Sequence, residues 1–389
     1  MYKFDEIMER RGTNCSKWDR LKELYGRDDL LPLWVADMDF SVPPAISSAL
    51  NKRAEHNIYG YTYCGDEYYE AVIGWMGRRH NWDIKKEWIV FTPGVVPALS
   101  LAVKAFTKPG DKVIIQSPVY HPFYDVIRNN GRYIMTNPLI YKDGKYTMDY
   151  DDLEEKIDSR TKILFLCNPH NPVGRVWTKK ELTRLGEICL KNDIIIVSDE
   201  IHSDIIYRDY NHTVMANISP KIRENCIVCT APSKTFNIAG LQVSNIIIPN
   251  DKLRNRYEIE FENSRISGPN IFGIEALIAA YNNSEDWLDE LLVYLEGNRD
   301  YFINFINKRI PKIKTIKPEG TYLMWIDCSE LNMNSAQLRD FFVNKCRLAL
   351  NDGEMFGKEG QIFQRVNIGC PRIILEEALI RIESEVNCL

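Results

Sequence analysis

A chain of 389 residues, 45% hydrophobic and 26% charged, can bury a large core and is expected to form two lobes rather than one small domain. Its net charge of −5 gives no basic excess for nucleic acid. The charged start, MYKFDEIMERRGTNCSKWDRLKELYG, has no signal-like apolar segment, and no run of about 18 apolar residues occurs anywhere, so the expectation is a cytoplasmic protein that neither spans a membrane nor binds nucleic acid.

In chain order, LPLWVADMDF reads as an extended apolar arm, and TPGVVPALSLAVKAF as a Gly-Pro turn opening a helix. Five short Val/Ile-rich runs follow: DKVIIQSPV, TKILFLCNP, DIIIVSDEI, NCIVCTAPS and LQVSNIIIP. The amphipathic stretch TKKELTRLGEICLKN separates the second run from the third. Strands of this length alternating with helices predict a mostly parallel sheet buried on both faces. Cys226 and Cys229 have metal-like spacing, but no second pair exists, and their segment reads as buried strand. After about residue 265 the pattern shifts. IFGIEALIAAYNN and the long EDWLDELLVYLEGNRDYFINFINKRI read as helices. KIKTIKPEGTYLMWIDC, SAQLRDFFVNKCRLAL and RVNIG then read as strand, helix and strand. The expected division is a large domain over 46–285, and a smaller α+β domain from 1–45 and 286–389 that includes the N-terminal arm.

Ligands of parallel sheets collect beyond the carboxyl ends of strands. Three runs end there in polar residues: Asn171, Asp199 and Lys234. In TPGVVPAL, the N–H groups of Gly94, Val95 and Val96 would point at an anion at the helix start. Taken singly, each has an ordinary alternative: a helix cap, a loop amide, a solvated lysine. Folding alone does not require an acid, an amide and an amine at neighbouring strand tips.

NPHNPVG, VSDEIH and APSKTFNIAG, in this order and spacing, resemble the fold-type I pyridoxal-phosphate enzymes of aminotransferase class I/II, over nearly the whole chain. With WVADMDF, YGYTYCG, SPVYHPF and RVNIGCPR, the set is similar to the cystathionine β-lyase-like carbon–sulfur lyases. The resemblance implies pyridoxal 5'-phosphate as cofactor, attached through Lys234. Asp199 would pair with the pyridine nitrogen, Asn171 would reach the ring oxygen, and Tyr120 would stack on the ring. Gly94, Val95, Val96 and Ser233, with Thr230 as a further donor, would hold the phosphate. Tyr61 would reach the phosphate of a neighbouring subunit, implying a homodimer with shared sites. Arg365 would grip the substrate carboxylate. The structural alternatives are an interface cluster for Tyr61, and an ion pair for Arg365 as for Arg372.

Three positions depart from the general aminotransferase pattern: Gln242 stands for arginine, Ala231 for Gly or Ser, and His202 for tyrosine. His202 is either a cofactor-side group or a packed ring. The lyase-like subgroup shares these departures, so the expected reaction is α,β-elimination from a sulfur amino acid such as cystathionine or a cysteine conjugate. Lys234 would take the Cα proton, and Lys234 or Tyr120 would protonate the leaving thiolate. Transamination is the alternative reaction, and a regulatory protein acting through a partner is the alternative of another class.

Overall fold

The computed structural model describes residues 2–389. Its central sheet has seven strands: β1 (Ile89–Thr92), β2 (Lys112–Ile115), β3 (Tyr133–Thr136), β4 (Thr161–Cys167), β5 (Ile195–Asp199), β6 (Cys226–Thr230) and β7 (Ser244–Ile247). They lie in the order β1-β7-β6-β5-β4-β2-β3, and only β7 runs antiparallel to its neighbours. Every residue of β6 is buried, as are all but one of β4 and of β5, which is why these runs are continuously apolar. Cys226 and Cys229 are among those buried strand residues.

Side chains alternate between two cores. Ile163 and Phe165 face one with Leu99, Phe106 and Tyr257, while Leu164 and Leu166 face the other with Trp177, Leu182 and Leu185. Eight helices of twelve residues or more cover the sheets: α1 (Pro44–Glu55), α2 (Asp66–His80), α3 (Val95–Phe106), α4 (Lys179–Lys191), α5 (Asp251–Asn263), α6 (Ile271–Asn283), α7 (Glu285–Arg309) and α8 (Arg372–Val386). Helix α4 starts on a reciprocal cap, in which Thr178 Oγ1 accepts from Glu181 N and the Glu181 side chain accepts from Thr178 N.

A second, antiparallel sheet holds β8 (Lys314–Ile316), β9 (Leu323–Asp327), β10 (Asn351–Asp352) and β11 (Phe363–Asn367), in the order β8-β9-β11-β10. The single strand read over KIKTIKPEGTYLMWIDC is therefore two, folded back at Pro318–Gly320. The helix read over SAQLRDFFVNKCRLAL stops at Lys345, because Arg347 takes a left-handed φ of +58° and Leu348–Ala349 pairs in parallel with Leu31–Pro32. The expected boundaries at 45 and 285 fall at the starts of α1 and α7.

Gly174 joins the two sheets. Its φ is +73°, and an added Cβ would lie 2.5 Å from Pro318 Cβ. Its carbonyl accepts from Glu319 N and Gly320 N. Glycine is required twice at this position, by backbone conformation and by the close approach. No described helix is long and apolar enough to cross a membrane.

Candidate active site

Sheet register brings the polar tips together. Asp199 ends β5 with Cys167 of β4 on one side and Cys229 of β6 on the other. Asn171 follows β4 and Lys234 follows β6, within the short helical turn Pro232–Thr235. At the sheet edge, Thr92 pairs with Ser244, and their hydroxyls meet at 2.8 Å. That pairing sets the Gly94 turn beside Gln242 and Val243.

One cavity of about 360 Å³ opens at these tips. Lys234, Asp199, Asn171, Tyr120, Gly94, Val95, Val96, Ser233, His202 and Arg365 all line it, joined by Gln242 and Ala231. Tyr61 does not. It lies fully exposed, near the exposed Ile58, Tyr59 and Tyr63. Thr230 does not line the cavity either: its hydroxyl turns to the Asn245 carbonyl at 3.3 Å, a bond made because β7 runs alongside.

The electrostatics follow from burial. Desolvation raises the Asp199 carboxyl to about 7; the bond from Ile201 N and the charge of Lys234 pull it down, and Glu200 pushes it up. Desolvation lowers Lys234 to about 8. Its Nζ donates to the Ala36 carbonyl at 2.7 Å, where Tyr322 Oη also donates at 3.0 Å. Burial raises the Tyr120 hydroxyl to about 12, with Asp199 adding to the rise. His202 is buried and pushed well below its usual value by desolvation, then by Lys234 and Arg365. Its ring is edge-on to Tyr322, and its Nδ1 has no partner among the described residues. It is a packed, uncharged ring that also lines the cavity.

Arg365 is the strongest electrostatic feature. It sits in the middle of the second sheet, paired across to Trp325 and Asn351. Nη1 donates to Asn171 Oδ1 at 2.9 Å; Nη2 donates to Asn351 Oδ1 at 2.5 Å and to Trp34 O at 2.9 Å. Nε is buried with no partner, and no carboxylate pairs with the guanidinium among the described residues. Desolvation lowers it to about 10. A buried cation held only by neutral groups is an anion site. Arg372, by contrast, starts α8 outside the cavity and donates from Nε to Asn298.

The arm closes the cavity with backbone. Carbonyls of Trp34, Val35, Ala36, Asp37 and Met38 all accept side-chain donors: Arg365, Asn367, Lys234, Lys17 and Asn237 among them. Behind the arm, the fully buried Lys17 meets Asp39 at 2.6 Å, and Arg10 clamps Asp37 and Asp39, each at 2.6 Å. Asn351, His121 and the Lys17 cluster were not singled out in the sequence. NDGEMFG and SPVYHPF offered only a polar residue near a glycine or a proline.

Sheet order, polar tips and an unpaired buried arginine together define a ligand-binding α/β enzyme fold. The chain belongs to the aminotransferase class I and II family, whose model matches residues 28–382. It is 45% identical over 385 residues to cystathionine β-lyase PatB of Bacillus subtilis, covering 99% of this chain and 100% of that protein. A pyridoxal-phosphate-bound structure from Clostridium difficile 630 aligns with TM-score 0.98 and 49% identity over 100% of both chains. Cystalysin from Treponema denticola, which contains pyridoxal 5'-phosphate, aligns with TM-score 0.97 and 39% identity over 100% of this chain and 99% of that one.

Proposed function

We propose that the protein is a pyridoxal-phosphate-dependent carbon–sulfur β-lyase. An L-cysteine conjugate and water give pyruvate, ammonium and a thiol. The observation that carries this reading is one cavity holding a half-buried lysine with a desolvated amine, a buried aspartate and an arginine with no counter-ion, in a chain 45% identical to a cystathionine β-lyase.

The residues fit the cofactor. Asp199, held near 7 by burial, lacks the cation that a protonated ring nitrogen provides. Asn171 gives its Oδ1 to Arg365, leaving Nδ2 for the ring oxygen. Helix α3 has no side-chain cap, so the amides of Val95 and Val96 are available to the phosphate, with Gly94 and Ser233 beside them. Tyr120 would cover the ring face, and Lys234 would hold the cofactor covalently. When bound, pyridoxal phosphate supplies an electron sink for negative charge at Cα.

The chain's own groups do the rest. Arg365 binds the substrate carboxylate with its planar fork. Lys234 Nζ, at about 8, is neutral in a useful fraction near physiological pH and takes the Cα proton. The Ala36 carbonyl holds one of its N–H groups and so orients the amine. Tyr120 keeps its proton and can hand it to the leaving sulfur, as can the protonated Lys234. The Cβ–S bond breaks, and water completes release of pyruvate and ammonium.

A second copy of the chain would bring Tyr61 to the phosphate, and the exposed Ile58, Tyr59 and Tyr63 suit such an interface. All ten cysteines are free, which suits the cytoplasm. Incubating the loaded protein with S-ethyl-L-cysteine or cystathionine, without a keto acid, tests the reading. Pyruvate and thiol support it; product only when a keto acid is added makes the enzyme a transaminase.

A further inference from the structure

We infer that Asp204 is a positioning residue for Lys234, acting through the Thr235 hydroxyl to fix the turn that carries the lysine. This rests on the β-lyase reading, in which Lys234 takes the Cα proton, and adds a residue that supports it.

Lys234 sits in the short turn Pro232–Thr235, closed by Phe236 N donating to Pro232 O at 2.9 Å. So short a turn has little stability of its own and takes its place from what holds it. The Lys234 amine is held on the cavity side by the Ala36 carbonyl. The next residue holds the backbone from behind: Thr235 is fully buried, and its Oγ1 donates to Asp204 Oδ2 at 2.7 Å.

Asp204 is itself fixed from α2. Its Oδ1 accepts from Trp75 Nε1 at 3.1 Å and meets His80 Nε2 at 2.8 Å. Burial opposes charge on this carboxyl, but the bonds from His80 and Thr235 and the charge of Arg79 hold its pKa below the ordinary value, so it is ionised. A carboxylate only accepts, so His80 Nε2 is the donor. Trp75 also packs edge-on to Phe236 at 5.6 Å, so α2 grips the chain at two successive residues beyond Lys234. Hydrogen bonds to a carboxylate are short and strong, which suits them to fix a backbone.

The other cofactor group rests on the same layer. Glu200 follows Asp199, and its carboxylate accepts from Ser198 Oγ at 2.8 Å and Met215 N at 3.0 Å and meets His212 Nε2 at 2.7 Å. The His212 ring lies edge-on to His80 at 5.6 Å. Thr235, Asp204, His80, His212 and Glu200 thus form one buried layer beneath Lys234 and Asp199. These contacts lie within one chain and outside the cavity lining, so they stand whatever a second copy adds to the cavity.

Thr235→Val keeps the shape and removes the hydroxyl; Thr235→Ser keeps the hydroxyl and removes a methyl. In pyruvate release from S-ethyl-L-cysteine by the loaded enzyme, Thr235→Val is expected to lower kcat about tenfold with KM within about twofold of wild type, since Arg365 still grips the substrate. A second readout is the rate at which the visible band of the lysine-bound cofactor appears when cofactor-free protein meets pyridoxal phosphate. This rate is expected to fall about tenfold in Thr235→Val, while Thr235→Ser stays near wild type in both readouts. Wild-type kcat and capture rate in Thr235→Val, or equal losses in the two variants, would overturn the inference. Should Thr235→Val fail to fold, Thr235→Ala measured against Thr235→Ser isolates the same hydroxyl, with the same outcomes. A wild type that forms the band but releases no pyruvate would sink the lyase reading, and the capture rates would then decide the role of Asp204 alone.

Discussion

Arg365 Nη1 donates to Asn171 Oδ1 at 2.9 Å, across 194 positions of sequence. The bond ties β11 of the second sheet to the loop after β4, so the group proposed for the substrate carboxylate and the group proposed for the ring oxygen form one unit. Arg365→Lys keeps the charge and loses the fork. The expected result is a fall in kcat/KM of about a hundredfold, mostly through KM, with the cofactor absorption band retained. An unchanged KM would remove Arg365 from substrate binding.

Asn351 offers a sharper version of the same point. Its Oδ1 lies 2.5 Å from Arg365 Nη2, so Asn351→Asp places a carboxylate on the guanidinium with almost no change of shape. The arginine then has a counter-ion, and the substrate carboxylate must compete with it. Steady-state kinetics should show KM raised by about tenfold or more while the melting temperature holds or rises. A variant with wild-type KM would mean that the substrate carboxylate is held elsewhere.

Asp199 makes the cofactor-free protein sensitive to pH. Burial puts its carboxyl at about 7, whereas an unfolded aspartate titrates near ~3.9. The folded chain therefore holds a proton that the unfolded chain has released between about pH 4 and 7. The stability tied to this proton is present below that window and is lost as pH rises through it. Denaturation of cofactor-free wild type and Asp199→Asn at about pH 5 and above 7 should show the balance shifting toward the Asn variant as pH rises. A pH-independent difference would place the carboxyl in its ordinary range.

The ion cluster behind the arm is the clearest stability prediction. Lys17 is fully buried, and its Nζ is 2.6 Å from the buried Asp39. Lys17→Met leaves Asp39 with Arg10 as its one cation, and removal of one partner from a buried pair costs about 3 kcal/mol. The same change loosens the segment whose Ala36 carbonyl holds Lys234, so turnover should fall as well. Chemical denaturation and kcat on one preparation check both; unaltered stability would show the cluster to be dispensable.

Legibility in the sequence followed physical locality. The strands β4, β5 and β6 announced themselves because burial on both faces makes each a continuous apolar run. Their polar ends announced Asn171, Asp199 and Lys234. The β8–β9 hairpin read as one strand, because the alternating KIKTIK and the apolar TYLMWID are both strand-like and only Pro318–Gly320 separates them. The helix reading ran past Lys345, because only the pairing of Leu348–Ala349 with Leu31–Pro32 makes those residues a strand. Asn351 and Lys17 were invisible for a related reason: their roles exist only through Arg365 and Asp39, 14 and 22 positions away, outside any helix or turn spacing.

The central claim is that Lys234 works within a cofactor-dependent elimination. Pyruvate release from S-ethyl-L-cysteine, measured on wild type and Lys234→Ala after both are given pyridoxal phosphate and no keto acid, tests it most directly. The account predicts steady release by wild type and a loss of about a thousandfold or more in the variant. Release by Lys234→Ala at the wild-type rate would contradict it.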